Sequence, residues 1–264
     1  MIDTETFQYI SDIHINQNNI VGDNIQTYIE PSADNLLIAG DIGNPFLNNY
    51  SEILKWCSDH FKNTYIIPGN HEYYCMISIH KVNLTIQNIC EELENVYFLN
   101  NSAKYLNDIC IIGTILWSDI NLTYTNEIKS KVTNFKKIKS NDILITPSFV
   151  KNEYNSNLKW LESEIETASQ MDNIKKIIIL THYPPLMNFR KHKNNYDKLK
   201  TAYCNNLNRM VKNLNEKVCL WVCGHTHYNT YVKYKNILVV SNCVGYIKNN
   251  IFNHKTNAIY VVEL

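Results

Sequence analysis

Arginine is almost missing from this chain. Only Arg190 and Arg209 occur among 264 residues, and the 25 Lys and Arg residues are balanced by 25 Asp and Glu residues. A formal net charge of zero provides no field that would draw the chain to nucleic acid or to an acidic membrane surface. Nucleic acid stays open as a partner, but the net charge gives it no support.

Long apolar runs and dividing segments are missing too. No apolar stretch approaches the roughly 20 residues that span a bilayer, and a motif beginning at Asp12 leaves no room for the apolar core of a signal peptide. We therefore expect a cytoplasmic location without membrane attachment. No repeat, Pro-rich linker or low-complexity block divides the sequence, which predicts one domain over residues 1–264. The 8 cysteines form no Cys-x-x-Cys pair, which favours structural thiols over zinc or redox motifs.

What the chain does contain is a set of short apolar runs that each end in a residue able to bind metal. Runs of this length, rich in Ile and Val and bounded by Gly or Pro, are typical of buried strands. In open α/β sheets, the ligands of one site gather beyond the carboxyl ends of the strands. The pattern therefore predicts one polar site built from distant segments. The residues that follow the runs are Asp12 and His14, Asp41, Asn70 and His71, His182, and His225 and His227.

The order of predicted elements indicates the fold class. Helical periodicity over Ser51–Phe61, Ile79–Leu93 and Phe149–Ala168 alternates with predicted strands, and the last third is mostly strand. This order favours an α/β (α+β) sandwich in which two sheets face each other with helices outside.

Two segments depart from that order. The stretch Thr123–Asn141 is Lys-rich and weakly periodic, so we interpret residues 123–141 as a surface excursion, more a solvated face than a substrate contact. Beyond His182, Pro184 and Pro185 predict an irregular loop reaching about Lys200. Because this loop leaves from a predicted ligand, it should border the mouth of the site.

The donor chemistry indicates a two-metal site. Carboxylate, amide and imidazole donors without a thiolate suit Mn, Fe, Co, Ni or Zn. Seven ligands exceed the needs of one tetrahedral ion but would supply two ions that share a carboxylate. Such a pair activates a bridging water and clamps the attacking and leaving oxygens in line, and its natural substrate is a phosphoester.

The same motifs resemble those of the calcineurin-like metallophosphoesterases: Asp12-x-His14, Gly40-Asp41, Gly69-Asn70-His71-Glu72, His182 and Gly224-His225-x-His227. The resemblance runs from Asp12 to His227. It implies a four-layer α-β-β-α sandwich with two facing mixed sheets. It also implies two divalent ions, with Mn favoured over Fe, Zn, Co and Ni. The implied ligands are Asp12, His14 and His227 for the first ion, Asn70, His182 and His225 for the second, and Asp41 for both.

His71 has a different implied role, as the group that faces the leaving oxygen and donates a proton to it. Protein Ser/Thr phosphatases of this superfamily orient that histidine with an Asp, where this chain has Asn44. We expect Glu72 or Asn44 to orient the imidazole instead. Of the two arginines, Arg190 on the predicted mouth loop is the better candidate for substrate binding.

The leading hypothesis is a hydrolase that cleaves a small phosphoester or a nucleotide-like substrate. A cyclic-nucleotide phosphodiesterase or a nuclease is the main alternative, supported only by the Lys-rich stretch. A protein Ser/Thr phosphatase and a non-catalytic scaffold rank below both. Trp117 and Tyr246 are either an aromatic wall for a substrate ring or packing residues.

Overall fold

A computed structural model describes residues 4–190, 198–246 and 253–263 of the chain. The strands of this structure are β1 (Thr4–Ile10), β2 (Asn35–Ile38), β3 (Asn63–Ile66), β4 (Val96–Phe98), β5 (Ser102–Leu106), β6 (Ile109–Thr114), β7 (Lys139–Ser140), β8 (Ile143–Leu144), β9 (Lys176–Thr181), β10 (Val218–Cys223), β11 (Tyr231–Tyr234), β12 (Ile237–Ser241) and β13 (Ile259–Glu263). The helices are α1 (Ile15–Asn18), α2 (Asn48–His60), α3 (Ile79–Glu91), α4 (Thr125–Lys131), α5 (Asn134–Lys137), α6 (Pro147–Gln170) and α7 (Asn208–Lys212).

Two mixed sheets carry the fold. The first has the order β13-β1-β2-β3-β4, with β1 to β4 parallel and β13 antiparallel to β1. The second has the order β11-β12-β10-β9-β6-β5, with a parallel centre and antiparallel edges. The parallel strands are in register at their carboxyl ends, as in the pairs Ile10↔Ile38 and Thr114↔Thr181. Residues that follow these strands therefore emerge at a common edge.

Each sheet buries both of its faces. Between the sheets, Phe7, Leu37 and Tyr65 of the first pack in one apolar cluster with Ile178 and Leu220 of the second. Helices α2 and α3 cover the outer face of the first sheet, and α6 covers the outer face of the second. This order of layers is the predicted four-layer α-β-β-α sandwich. Strands buried on both faces also explain why the predicted strands are continuous apolar runs without alternation.

The predicted helices are all present with shifted ends. The third begins at Pro147, before the predicted Phe149, because Thr146 caps it: the Thr146 hydroxyl accepts a hydrogen bond from the Phe149 N–H at 3.1 Å, and a proline occupies the first helical position. Among the helices that the structure describes, none is long and apolar enough to span a membrane.

The Lys-rich stretch differs from the expectation of a solvated face. It forms α4 and α5, and it buries Ile128, Phe135 and Ile138 in the core while its lysines stay at the surface. The two short helices turn the apolar side of the stretch toward the core. The segment is therefore packed onto the body of the fold.

Candidate metal centre

The loops at the strand ends hold their polar residues in an unusual backbone conformation. Left-handed φ angles are uncommon for residues other than glycine, and they cluster at functional sites when the surrounding fold enforces them. Five of the predicted metal ligands adopt them: Asp12 (φ 53°), His14 (φ 49°), Asp41 (φ 57°), His225 (φ 72°) and His227 (φ 52°).

Glycines let these loops approach one another. A Cβ added at Gly69 would lie 2.2 Å from Asp41 Oδ1, and one at Gly224 would lie 2.6 Å from Asp12 Oδ2. No side chain fits at either position without moving a carboxylate. The Gly-Asn-His and Gly-His-x-His motifs thus need glycine for close approach.

Asp12, His14 and His227 form a first cluster of donors. His227 Nε2 lies 3.3 Å from Asp12 Oδ1 and 2.9 Å from His14 Nε2, and His14 Nε2 lies 3.9 Å from the same carboxylate oxygen. Donors about 2.1 Å from a tetrahedral ion are separated by about 3.4 Å. The spacing of this cluster therefore fits a single transition-metal ion.

Asp41, Asn70, His182 and His225 form a second cluster. His182 Nε2 lies 2.9 Å from Asn70 Oδ1, 3.2 Å from His225 Nδ1 and 3.4 Å from Asp41 Oδ1. The other nitrogen of His182, Nδ1, donates to the Ala39 carbonyl at 2.8 Å, which leaves Nε2 of the neutral ring as an acceptor. Acceptor atoms that face each other need a positive charge between them, and a metal ion or a proton can supply it.

The electrostatics of the second cluster agree with that requirement. Burial disfavours the charged imidazole of His182, but the carboxylate of Asp41 outweighs burial and raises the pKa of His182 to about 9. Burial by itself would raise the pKa of Asp41, yet His182 and His71 hold it well below its usual range. Burial also lowers the pKa of His14 to about 3, so that this imidazole is a neutral donor at pH 7. The clusters thus combine ionised carboxylates with imidazoles of both kinds: the pKa of His14 is lowered, whereas the pKa values of His182 and His227 are raised.

Glu72 holds the loops of the centre together, which differs from its predicted role. Its fully buried carboxylate accepts four backbone hydrogen bonds of 2.6–3.2 Å and does not orient His71. Nor does Asn44, whose two carbonyl oxygens accept from the backbone N–H groups of its own loop. The four N–H groups bound to Glu72 belong to Asp41, Ile42, Gly43 and Gly69.

His71 lies beside both clusters. Its backbone N–H donates to Asp41 Oδ1 at 2.7 Å, and its Nε2 is 4.0 Å from Asp41 Oδ2. Its ring makes an edge contact with the ring of His14 at 4.4 Å. The structure therefore brings together all of the predicted ligands and the predicted proton donor.

A family model described as calcineurin-like phosphoesterase matches residues 6–229 of the chain. The chain belongs to the calcineurin-like phosphoesterase family. Its members are dimetal-dependent, and the described residues supply three overlapping groups of suitable donors: Asp12, His14 and His227; His14, Asp41 and His71; and Asp41, His182 and His225. The chain is accordingly a metal-dependent phosphoesterase.

Individual relatives match most of the chain. The uncharacterized protein L509 of Acanthamoeba polyphaga mimivirus is 33% identical over 223 residues, which cover 80% of this chain and 78% of L509. Among solved structures, phosphopantetheinyl hydrolase (PptH) of Mycobacterium tuberculosis matches with a TM-score of 0.67 and 16% identity, over 97% of this chain and 95% of its own. A candidate 5′-nucleotidase of Staphylococcus aureus, solved with alpha-ketoglutarate, matches with a TM-score of 0.52 and 12% identity, over 98% of this chain and 50% of its own. At such identities the solved structures show the shared fold.

A cleft of about 380 Å³ opens onto the phosphoesterase centre. Besides members of both clusters, it is lined by Tyr74, Tyr203 and Tyr246 and by residues of the Lys-rich stretch, among them Asn134 and Lys137. The prediction that this stretch is a solvated face is therefore wrong for Asn134, which is buried, whereas Lys137 is exposed at the cleft. Their approach to the centre depends on tertiary packing and leaves no local mark in the sequence.

Asn134 links the Lys-rich stretch to the second cluster. Its buried Oδ1 accepts from the Tyr74 hydroxyl at 2.6 Å and from Asn70 Nδ2 at 3.4 Å, and its Nδ2 donates to the Tyr183 hydroxyl at 2.9 Å. Asn70 Nδ2 also donates to Tyr74 at 2.9 Å. These bonds turn Asn70 Oδ1 toward His182.

The remaining predicted site residues lie at different depths. The guanidinium of Arg190 packs 4.3 Å from the ring centre of Tyr203. Because Tyr203 lines the cleft, Arg190 lies behind Tyr203 as seen from the cleft. Trp117 is buried and stacks on Tyr73, which identifies it as a packing residue. Residues 191–197 of the predicted mouth loop lie outside the described residues.

Proposed function

We propose that this phosphoesterase hydrolyses small phosphoesters with two divalent transition-metal ions. The observation that carries the proposal is the position of the Asp41 carboxylate between the clusters. Its Oδ1 lies 3.4 Å from His182 Nε2, and its Oδ2 lies 3.9 Å from His14 Nε2. One ion would be held by Asp12, His14 and His227, the other by Asn70, His182 and His225, and Asp41 would bind both.

Mn²⁺, which the family resemblance favours, is the ion we propose, with Fe, Zn, Co and Ni as substitutes. Nitrogen and oxygen donors without thiolate suit these metals. When bound, two such ions lower the pKa of a water molecule and offset the charge of the phosphoryl oxygens. Glu72 keeps the loops that carry Asp41 and Asn70 at a fixed separation, so that the donors need little rearrangement on binding.

His71 would assist the departure of the leaving group. The Nε2 atom of His71 lies next to the centre, and its ring lines the cleft in which a substrate would bind. A proton passed from Nε2 to the leaving oxygen would prevent the build-up of negative charge on that oxygen. The strongest requirement for His71 should therefore come from substrates with basic leaving groups.

The cleft favours a small or nucleotide-like substrate. Its volume of about 380 Å³ is at the lower end for small-molecule sites. Two structural relatives are named phosphopantetheinyl hydrolase and candidate 5′-nucleotidase. These names refer to a phosphopantetheinyl group and to a nucleotide, which are both small. Arg190 would contribute positive charge from behind Tyr203. A panel of monoesters, diesters, nucleotides and cyclic nucleotides would identify the preferred class.

The site assignment is tested by hydrolysis of p-nitrophenyl phosphate and its bis-ester with Mn²⁺. Asp41→Asn and His225→Ala should each abolish activity, because the first removes the negative charge and the second oxygen that would let residue 41 bind both ions, and the second removes a proposed ligand. His80→Ala is the matched control, since His80 is an exposed histidine away from the cleft, and it should retain wild-type activity. Full activity of either ligand variant would contradict the assignment.

A further inference from the structure

Tyr246 is the hydrogen-bond partner of His71. Its hydroxyl oxygen lies 3.1 Å from His71 Nε2, whereas His71 Nδ1 is buried and has no hydrogen-bond partner in the part of the chain that the structure describes. Both rings line the cleft. The nitrogen that faces the centre is thus the one that Tyr246 contacts.

The position of Tyr246 is set by the same loops that carry the metal-binding residues. The N–H of Gly245 donates to the Asp12 carbonyl at 2.9 Å, and Asn18 Nδ2 donates to the Gly245 carbonyl at 2.8 Å. The Tyr246 ring then stacks on the His14 ring with centres 4.6 Å apart and an interplanar angle of 27°. The backbone hydrogen bonds of Gly245 and the stacking of the Tyr246 ring on His14 therefore fix the position of the Tyr246 hydroxyl.

We infer that Tyr246 is a positioning residue that keeps His71 Nε2 directed at the leaving-group oxygen. The inference rests on the proposed function, in which His71 donates a proton to that oxygen. Neither Glu72 nor Asn44 bonds to the imidazole, so the Tyr246 hydroxyl takes the orienting role that was predicted for them.

A hydroxyl suits this role because it can both accept and donate. To act as the acid, the His71 ring must carry a proton on both nitrogens. In the free enzyme its Nε2–H donates to the Tyr246 oxygen, and a bound leaving-group oxygen would share the same N–H. When the Nε2–H bond breaks and the proton forms an O–H bond with the leaving group, the Tyr246 hydroxyl donates to the bare Nε2. The ring keeps its orientation through both states, and it regains a proton from solvent water after the product leaves.

The test compares Tyr246→Phe with wild type on substrates that differ in the basicity of the leaving group. Phe keeps the ring that stacks on His14 and removes only the hydroxyl. We expect kcat/KM to fall ~10- to 100-fold for an alkyl phosphate, as part of the ~10²–10⁴ that general acid catalysis supplies. For p-nitrophenyl phosphate, whose leaving group needs no proton, the loss should stay under about threefold.

Tyr74→Phe is the matched control. It also removes a hydroxyl from the cleft, but that hydroxyl bonds to Asn70 and Asn134, so it should impair all substrates alike. In a His71→Gln background, Tyr246→Phe should cause almost no additional loss, because the group through which it acts is gone. An equal loss on both substrates, or an undiminished loss in that background, would overturn the inference.

A measurement without substrate separates this inference from the proposed function. In the nitrogen NMR spectrum of the metal-free protein, Tyr246→Phe should shift the Nε2 resonance of His71, while Tyr74→Phe should leave it nearly unchanged. A spectrum unaffected by Tyr246→Phe would count against the contact even if the enzyme is active. Wild-type protein that hydrolyses no phosphoester with any metal would instead refute the proposed function, whatever the spectrum shows.

Discussion

At the scale of single residues, the orientation of one amide controls the second cluster. Asn70 can serve as an oxygen donor only if its NH₂ group points away from His182. Tyr74 and Asn134 accept hydrogen bonds from that NH₂ group at 2.9 and 3.4 Å, and they thereby select the orientation. Groups that orient a ligand through hydrogen bonds often change metal affinity by about 10- to 100-fold when they are removed.

Asn134→Ala should therefore weaken binding of one ion more than the other. We expect the affinity of the weaker Mn²⁺ site to fall ~10-fold or more, as measured by calorimetric titration, because Asn70 loses part of its hydrogen bonding. Asn126→Ala, at an exposed position of the same Lys-rich stretch, is the control and should bind both ions as wild type does. Unchanged affinities in Asn134→Ala would show that Tyr74 alone is enough to orient Asn70.

Residues next to strand ends were predictable from the sequence, and residues that reach the centre from elsewhere were not. Asp12, Asp41 and His225 follow apolar runs, so their convergence follows from parallel strands in register. Asn134, at the start of α5, and Tyr246, in the loop after β12, contact the centre along chain paths that depend on tertiary packing. The prediction for Glu72 was wrong because sequence adjacency to His71 does not reveal which way a side chain points.

At the scale of elements, the Lys-rich stretch has two functions in packing and access. Ile128 and Phe135 anchor it in the core, and Lys137 lines the cleft with its ammonium 5.3 Å from the ring centre of Tyr74. The weak periodicity of the stretch marked it as a departure from the regular order of elements. It could not indicate that the two short helices α4 and α5 would form one side of the cleft.

Lys137→Ala tests whether this side of the cleft contacts the substrate. Phosphoester substrates are anionic, so removal of a nearby positive charge should raise KM ~3- to 10-fold with a smaller change in kcat. Lys136→Ala removes the same charge from an exposed neighbour that does not line the cleft, and it should behave as wild type. Equal effects of the two variants would indicate a general effect of net charge, and the effect of Lys137→Ala should shrink at high salt.

At the scale of the whole molecule, the two sheets bring distant segments to one edge. The carboxyl ends of β1, β2 and β3 supply Asp12, Asp41 and Asn70, and those of β9 and β10 supply His182 and His225. The layered architecture was predictable, because apolar runs buried on both faces require a second sheet or helices on each side. The contacts between the loops were not predictable. They depend on close approaches at glycines and on left-handed backbone angles, and the hydrophobic periodicity of a sequence reveals neither.

The same arrangement couples metal binding, protonation and stability. The pKa of His182 is raised to about 9 in the metal-free protein, above the value near 6.5 of an unfolded chain. Its protonation therefore contributes stability that is fully present below pH 6.5 and is lost as the pH rises through 9. The pKa of His227 is also raised, so its contribution has the same sign.

We therefore expect the Tm of the metal-free protein to fall between pH 7 and 9, while added Mn²⁺ opposes the fall. A proton on His182 competes with the metal, so the apparent Mn²⁺ affinity should rise by up to about tenfold per pH unit in this window. Saturating Mn²⁺ should raise the Tm by ~5–10 °C, and this difference should widen with pH.

Thermal unfolding with and without Mn²⁺ at several pH values measures this Tm difference. In His80→Ala the Tm difference should widen with pH as it does in wild type. In Asp41→Asn it should be smaller at every pH, because this change removes the carboxylate that is proposed to bind both ions and that raises the pKa of His182. A Tm difference that is independent of pH would place the metal away from His182.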